Sequence, residues 1–342
     1  MSELQRQLHH LQCSRLPPIP DTGSSSTASS NMPRLRGRQR DFSPLEWQEF
    51  FDSKEEVEVR AGEFFNCYRK GSQGPLLLLI HGGGYTGLTW ACFAEKITTM
   101  IDCQILAPDL RAHGLSRAQD EYALTLDNMV NDVTGLLDKL YPADHPPVII
   151  LGHSMGGSLA VHIAKSGRVK ELKGLGVIDV VEGSAMEALT GMRTFLRSRP
   201  SNFISLEAGV EWCLKSGTVH KERSARISFP SQLVAGEDGV FHWRSDLTKT
   251  EEFWADWFKG LTGHYLSVNC PKLLILAGPD RLDKDMMVAQ MQGKFQMLMV
   301  PKAGHAVQED APEKLAEAVA TFATRHRLAE AKAGFHHSVP AC

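Results

Sequence analysis

Six short, mainly apolar runs set the frame for this chain: LLLLI (76–80), QILAP (104–108), VIIL (148–151), GLGVIDV (174–180), KLLILA (272–277) and FQMLMV (295–300). Successive side chains on a strand point to opposite faces, so a strand wetted on one side alternates polar and apolar residues. Runs that are apolar at every position need cover on both faces, as strands inside a parallel sheet have. The intervening stretches supply that cover. Thr125 to Leu140 carries Met129, Val130, Val133, Leu136 and Leu137 at helical spacing, and Ala311 to Leu328 opens with Pro312, a good first-turn residue, followed by Leu315, Val319 and Phe322. EVEVR (56–60) and EFFNCY (63–68) suggest a leading hairpin. The predicted fold is therefore α/β: a mostly parallel eight-stranded sheet with helices on both faces.

One connection breaks the rhythm. About ninety residues, Val181 to Asn269, separate two core strands, far more than a crossover needs. The segment reads as mainly helical, an insertion over about 184–268 that caps one end of the sheet. Ligands in such sheets bind outside the carboxyl ends of the strands, so a cap there would cover a site. Residues 1–41, with PPIP, GSSSTASS and Arg34, Arg36, Arg38 and Arg40, are poor in apolar surface and read as a disordered tail. The stretch 331–342 (AKAGFHHSVPAC) reads as loosely held, which leaves 42–330 as the folded domain. The 342 residues carry a net charge of −3, which gives no reason to expect a nucleic-acid partner. Seven cysteines without a Cys-x-x-Cys pair argue against a disulfide framework or a structural zinc, and point to the cytoplasm or nucleus. No run approaches a membrane span.

The chemistry gathers around Gly152-His153-Ser154-Met155-Gly156, which fits Gly-x-Ser-x-Gly between a buried strand and a helix start. A sharp strand-to-helix turn strains the serine backbone and leaves no room for a Cβ two residues to either side, so the glycines are required. The turn lifts the Ser154 hydroxyl above the sheet at a helix N-terminus, which favours developing negative charge. A serine at neutral pH needs a base. His305 follows the last apolar run, where the order nucleophile, acid, histidine places it. The acid has two candidate places: Asp179, ending GLGVIDV, and Asp280 or Asp283, after KLLILA. Asp280 comes one residue early for the usual spacing, and the residues alone leave the two open. Two backbone N–H groups should hold an oxyanion: Met155, after the nucleophile, and Gly83 in His81-Gly82-Gly83-Gly84, with Gly84 next.

Gly82, Gly84 and Gly87 also match the dinucleotide fingerprint Gly-x-Gly-x-x-Gly, with Asp102 and Asp109 downstream. That reading leaves Ser154 and His305 unexplained and is the weaker one. In the cap, Trp243, Phe253, Trp254, Trp257, Phe258 and Tyr265 serve packing or line an apolar groove for an acyl or peptide group.

Together these residues resemble an α/β-hydrolase, and within that superfamily the chain is similar to the protein phosphatase methylesterases. The likeness rests on RDFSPLEW (40–47), LLLLIHGGG (76–84), ILAPDLRAHG (105–114), LGHSMGG (151–157), VIDVVEGSAMEAL (177–189), GPDRLDKD (278–285) and GHAVQEDAPEKLAEAVATF (304–322). It implies a serine esterase that removes the methyl ester from the C-terminal leucine of the type-2A serine/threonine phosphatase catalytic subunit, needing no metal or organic cofactor. It also places the acid on the strand of VIDVVEG, which selects Asp179 over Asp280. The family binds the phosphatase, with its scaffold complex, over a broad surface. The loop QLVAGEDGVF (232–241) is shorter than the acidic loop the family carries, so partner contacts are expected to differ. Two further expectations follow: a role chiefly as a binder that holds inactive phosphatase, or a broad small-ester hydrolase.

Overall fold

The protein is described here by a computed structural model covering residues 40–142, 145–278 and 282–335. Its chain opens with the expected hairpin, β1 (Ser53–Arg60) and β2 (Glu63–Lys70), paired antiparallel. Then come β3 (Leu76–Ile80), α1 (Ala91–Met100), β4 (Gln104–Pro108), α2 (Leu126–Leu140), β5 (Val148–His153), α3 (Met155–Lys165) and β6 (Leu172–Ile178). Every residue of β3 is fully buried, as an all-apolar run demands. Thr125 caps α2 by accepting from the Asn128 N–H at 3.2 Å.

The insertion follows β6. It holds α4 (Glu182–Ser198), β7 (Asn202–Phe203), α5 (Leu206–Lys215), α6 (Glu222–Ser228), β8 (Leu233–Ala235), β9 (Phe241–Trp243), α7 (Trp254–Phe258) and α8 (Leu261–Ser267). The chain then returns to the core through β10 (Lys272–Leu276), α9 (Lys284–Met291), β11 (Gln296–Met299), α10 (Val307–Asp310) and α11 (Pro312–Arg325). The large sheet has eight strands in the order β1-β2-β4-β3-β5-β6-β10-β11, antiparallel at β1/β2 and β2/β4 and parallel thereafter.

Three details differ from the sequence reading. The insertion is not purely helical: β7, β9 and β8 form a three-stranded antiparallel sheet. Its rings give it a core of its own, with Phe203, Trp212, Phe229 and Trp243 packed at centroid distances between 5.5 and 5.8 Å. The last helix stops at Arg325, because Arg327 takes a left-handed conformation (φ 57°). The C-terminal stretch makes contacts with the rest of the fold as far as Phe335. Lys332 donates its N–H to Met100 O at 2.8 Å and pairs with Asp102 at 3.1 Å, Ala331 bridges to Ile101, and Phe335 packs on the core. Residues 336–342 and the tail residues 1–39, including Arg34, Arg36 and Arg38, lie outside the described residues. Asp41 is already tied down, by Arg226 at 2.8 Å. Among the described residues no helix is long and apolar enough to cross a membrane.

Candidate active site

β5 runs straight into α3 through one residue. Ser154 has φ 54° and ψ −122°, a sparsely populated conformation for a residue with a side chain. The turn is possible because its flanks are glycine: a Cβ on Gly156 would lie 2.3 Å from His81 O, and one on Gly152 would lie 2.1 Å from Gly156 O. Ser154 is held from the next strand as well, donating its N–H to Ile178 O at 3.0 Å.

At the end of β6 a second residue takes a left-handed conformation. Asp179 has φ 51°, tolerated best by Asp, Asn and Gly. Its carboxylate is buried and doubly engaged: Oδ1 accepts from the Ala277 N–H at 2.9 Å, and Oδ2 meets His305 Nδ1 at 2.7 Å. A carboxylate only accepts, so Nδ1 carries the imidazole proton and Nε2 is left as the ring's acceptor. His305 is itself buried and its loop is fixed at two points. His153 Nε2 donates to His305 O at 2.8 Å, and the Gly304 N–H donates to Asp310 Oδ2 at 2.7 Å. Burial holds His153 well below the ordinary histidine range, so it is a neutral structural donor. Asp280 lies outside the described residues. Asp283 is committed elsewhere: it caps α9 through Met286 N at 2.8 Å and accepts from Thr262 Oγ1 at 2.5 Å.

The glycine loop after β3 packs onto the serine turn. Gly84 is committed, because its N–H donates to His113 Nε2 at 2.8 Å. Gly87 is committed too, its N–H donating to Asp109 Oδ1 at 2.7 Å. Those two bonds remove the donors that a dinucleotide phosphate would use, and place a buried carboxylate in its path. Burial depresses the pKa of both His81 and His113, the latter to about 4. Neutral His81 accepts from the Leu110 N–H at 2.9 Å, and its Nδ1 donates to Gly82 O at 2.8 Å. Met155 opens α3, so its N–H has no intrahelical acceptor.

Ser154, Met155, Gly83 and His305 all line one cavity of about 110 Å³, roofed by Trp254, Trp257 and other cap residues. Residues 77–318 match the family model described as the alpha/beta hydrolase family. The chain is 47% identical to "Probable protein phosphatase methylesterase 1" of Caenorhabditis elegans over 319 residues, covering 93% of this chain and 84% of that one. It is 43% identical to "Protein phosphatase methylesterase 1" of Homo sapiens, with both chains fully covered. The chain belongs to the protein phosphatase methylesterases, within the α/β-hydrolase family.

Solved structures agree on the fold. An E-2-(acetamidomethylene)succinate hydrolase superposes with a TM-score of 0.65 at 22% identity, over 80% of this chain and 99% of that one. A thioesterase domain from the curacin biosynthetic pathway gives 0.60 at 20% identity, over 78% and 98%. The family makes this methylesterase a carboxylic-ester hydrolase. Its site also has members that sequence spacing did not single out. His153 was visible only as the variable position of Gly-x-Ser-x-Gly, and Asp310 as one acid among many. Their tie to His305 is a matter of three-dimensional packing. A second, smaller cavity of about 40 Å³ also touches Ser154 and His305, and is lined by Asp179, Ala185 and Ala188.

Proposed function

We propose that this methylesterase demethylates the C-terminal leucine methyl ester of the type-2A phosphatase catalytic subunit through a Ser154–His305–Asp179 acyl-enzyme cycle. The observation that carries the reading is the buried Asp179–His305 pair at 2.7 Å, facing a cavity that also holds Ser154, Met155 and Gly83. His305 Nε2 takes the Ser154 Oγ proton as the oxygen attacks the ester carbonyl carbon. The Met155 N–H and, with Gly84 occupied, the Gly83 N–H hold the resulting oxyanion. The imidazolium passes its proton to the methoxy oxygen, the C–O bond breaks and methanol leaves. Water, activated by the same nitrogen, then attacks the acyl-serine, and a free carboxylate departs. Asp179 stays ionised throughout and stabilises the imidazolium.

The two cavities divide the ester. The larger one contains both oxyanion donors and takes the acyl part. The smaller contains neither, adjoins His305 and takes the alcohol; about 40 Å³ suits a single methyl group. The partner is the methylated catalytic subunit with its scaffold. The five described cysteines are unpaired and four of them buried, which suits reducing cytoplasm or nucleoplasm. Methanol release from methylated phosphatase is the test. Ser154→Ala should abolish it while retaining phosphatase binding, and full activity in that variant would refute the nucleophile.

A further inference from the structure

The larger cavity is apolar on most sides, yet two nitrogen donors in its wall have nothing to donate to. Arg199 follows α4 in extended conformation (φ −71°, ψ 148°), and its guanidinium stacks on the Trp243 ring at 4.1 Å. Trp243 is itself fixed, its Nε1 donating to Pro200 O at 2.7 Å. Arg199 Nε is buried without an acceptor, and among the described residues no carboxylate lies within ion-pair distance of the side chain. Asp246, whose charge reaches it, has its Oδ1 engaged by the N–H and hydroxyl of Thr248 at 3.1 and 2.6 Å. Burial lowers the guanidinium pKa to about 10, so the group is still a cation at neutral pH. Gln232 Nε2 lines the same cavity, is buried and also lacks a partner.

Buried donors are rarely left unpaired in folded proteins. Two of them in the wall that also presents the nucleophile indicate an acceptor that arrives with the ligand. A guanidinium presents a planar fork of N–H groups matched to a carboxylate, and in an apolar enclosure it favours a full negative charge over a neutral carbonyl.

We infer that Arg199, with Gln232, forms an anion-recognition subsite for a carboxylate on the acyl side of the scissile ester. The preferred substrate is then a peptide methyl ester with an acidic residue upstream of its C-terminal residue. The inference rests on the esterase reading above and deepens it. It makes Arg199 a specificity-determining residue rather than a member of the proton-transfer chain.

The test uses full-length protein and matched peptide methyl esters ending in leucine, with Asp or Asn at the second, third or fourth position from the ester. The readout is kcat/KM by methanol release. At one of these positions the wild type should favour Asp over Asn by roughly 10- to 100-fold, the range of a hydrogen bond to a charged group. Arg199→Gln should bring that ratio to within about threefold of unity, and Arg199→Lys should restore part of it through charge alone. The wild-type comparison stands even where a variant folds poorly. Equal turnover of every Asp and Asn pair by the wild type would overturn the subsite and leave the esterase reading intact. Failure to release methanol from any peptide ester, with small acyl esters still hydrolysed, would sink both.

Discussion

Replacing Asp179 by asparagine exchanges one carboxylate oxygen for an NH2 group and tests the whole proton path. The backbone should accept the change, since Asn takes the left-handed conformation at φ 51° as readily as Asp. The side chain then has two orientations. With its amide NH2 toward Ala277, two N–H groups face each other across 2.9 Å, which is unfavourable. With its oxygen toward Ala277, that bond survives and the NH2 faces His305 Nδ1 across the former 2.7 Å contact. Nδ1 must then accept, the ring proton moves to Nε2, and the histidine presents a donor to Ser154 where a base is needed. The loss should be about 10³- to 10⁴-fold in kcat, or about 4–5.5 kcal/mol of barrier. The assay is methanol release from a methyl ester at neutral pH, with thermal melting as the control for folding. A loss smaller than about tenfold, with the fold intact, would refute the role of Asp179. A larger loss for Asp280→Asn would move the acid to the loop after β10.

Three further outcomes follow from the same geometry. Ser154→Gly and Ser154→Ala should both be inactive, but the glycine variant should melt about 2 °C higher; release of ~1–3 kcal/mol of backbone strain outweighs the extra chain entropy of glycine. Equal melting temperatures would mean that the turn stores no strain. Burial without a cationic partner raises the Glu309 pKa to about 8, although Thr89 and Ser228 hydroxyls donate to it at 2.5 and 2.6 Å. The folded state therefore holds a proton that the unfolded chain has lost, so this group's contribution is full at acid pH and falls as pH rises from the ordinary carboxylate range through about 8. Glu309→Gln should flatten stability against pH over that window in urea titrations, and an unchanged slope would contradict it. Ala188→Leu should fill the 40 Å³ cavity and lower methyl-ester kcat/KM on the order of tenfold, with less effect on esters whose alcohol cannot enter it.

Much of this was legible because burial writes itself into composition. LLLLI and VIIL could only be strands covered on both faces, and Gly152 and Gly156 mark a turn where a Cβ has no room. Ser154 and His305 follow from chain order, each next to a core strand. The acid was harder. Asp179 ends the run GLGVIDV and Asp280 follows the run KLLILA, and spacing along the chain does not reveal which carboxylate faces the imidazole. The cap was legible as an insertion but not in its make-up. β7, β8 and β9 are two or three residues long, too short for a period-two pattern to register. Arg199 gave no signal at all, because an arginine just after a helix normally reaches solvent. Its role follows from the indole beneath it and the cavity above.

The cap is stitched to the loop that carries His305 rather than laid over it. α10 follows His305 by one residue, and both of its acids reach into the insertion. Asp310 accepts from the Gly304 N–H with one oxygen and from the His220 N–H with the other, at 2.7 Å each. Glu309 accepts the Ser228 hydroxyl on its carboxylate and the Ser224 hydroxyl on its backbone oxygen, at 2.6 and 2.7 Å. On the other side, Ser158 in α3 donates to Trp257 O, and Trp257 Nε1 donates to Leu124 O at 2.8 Å. A rigid displacement of the cap would therefore strain the His305 loop before it opened the cavity. Substitutions at Ser224, Ser228 or His220, all in the cap, should lower kcat as well as raise KM, whereas a cap that merely screened the site would change KM alone. Kinetics of Ser228→Ala on a small acyl ester, which needs little of the cap for binding, separate the two: an unchanged kcat would mean that cap and histidine move independently.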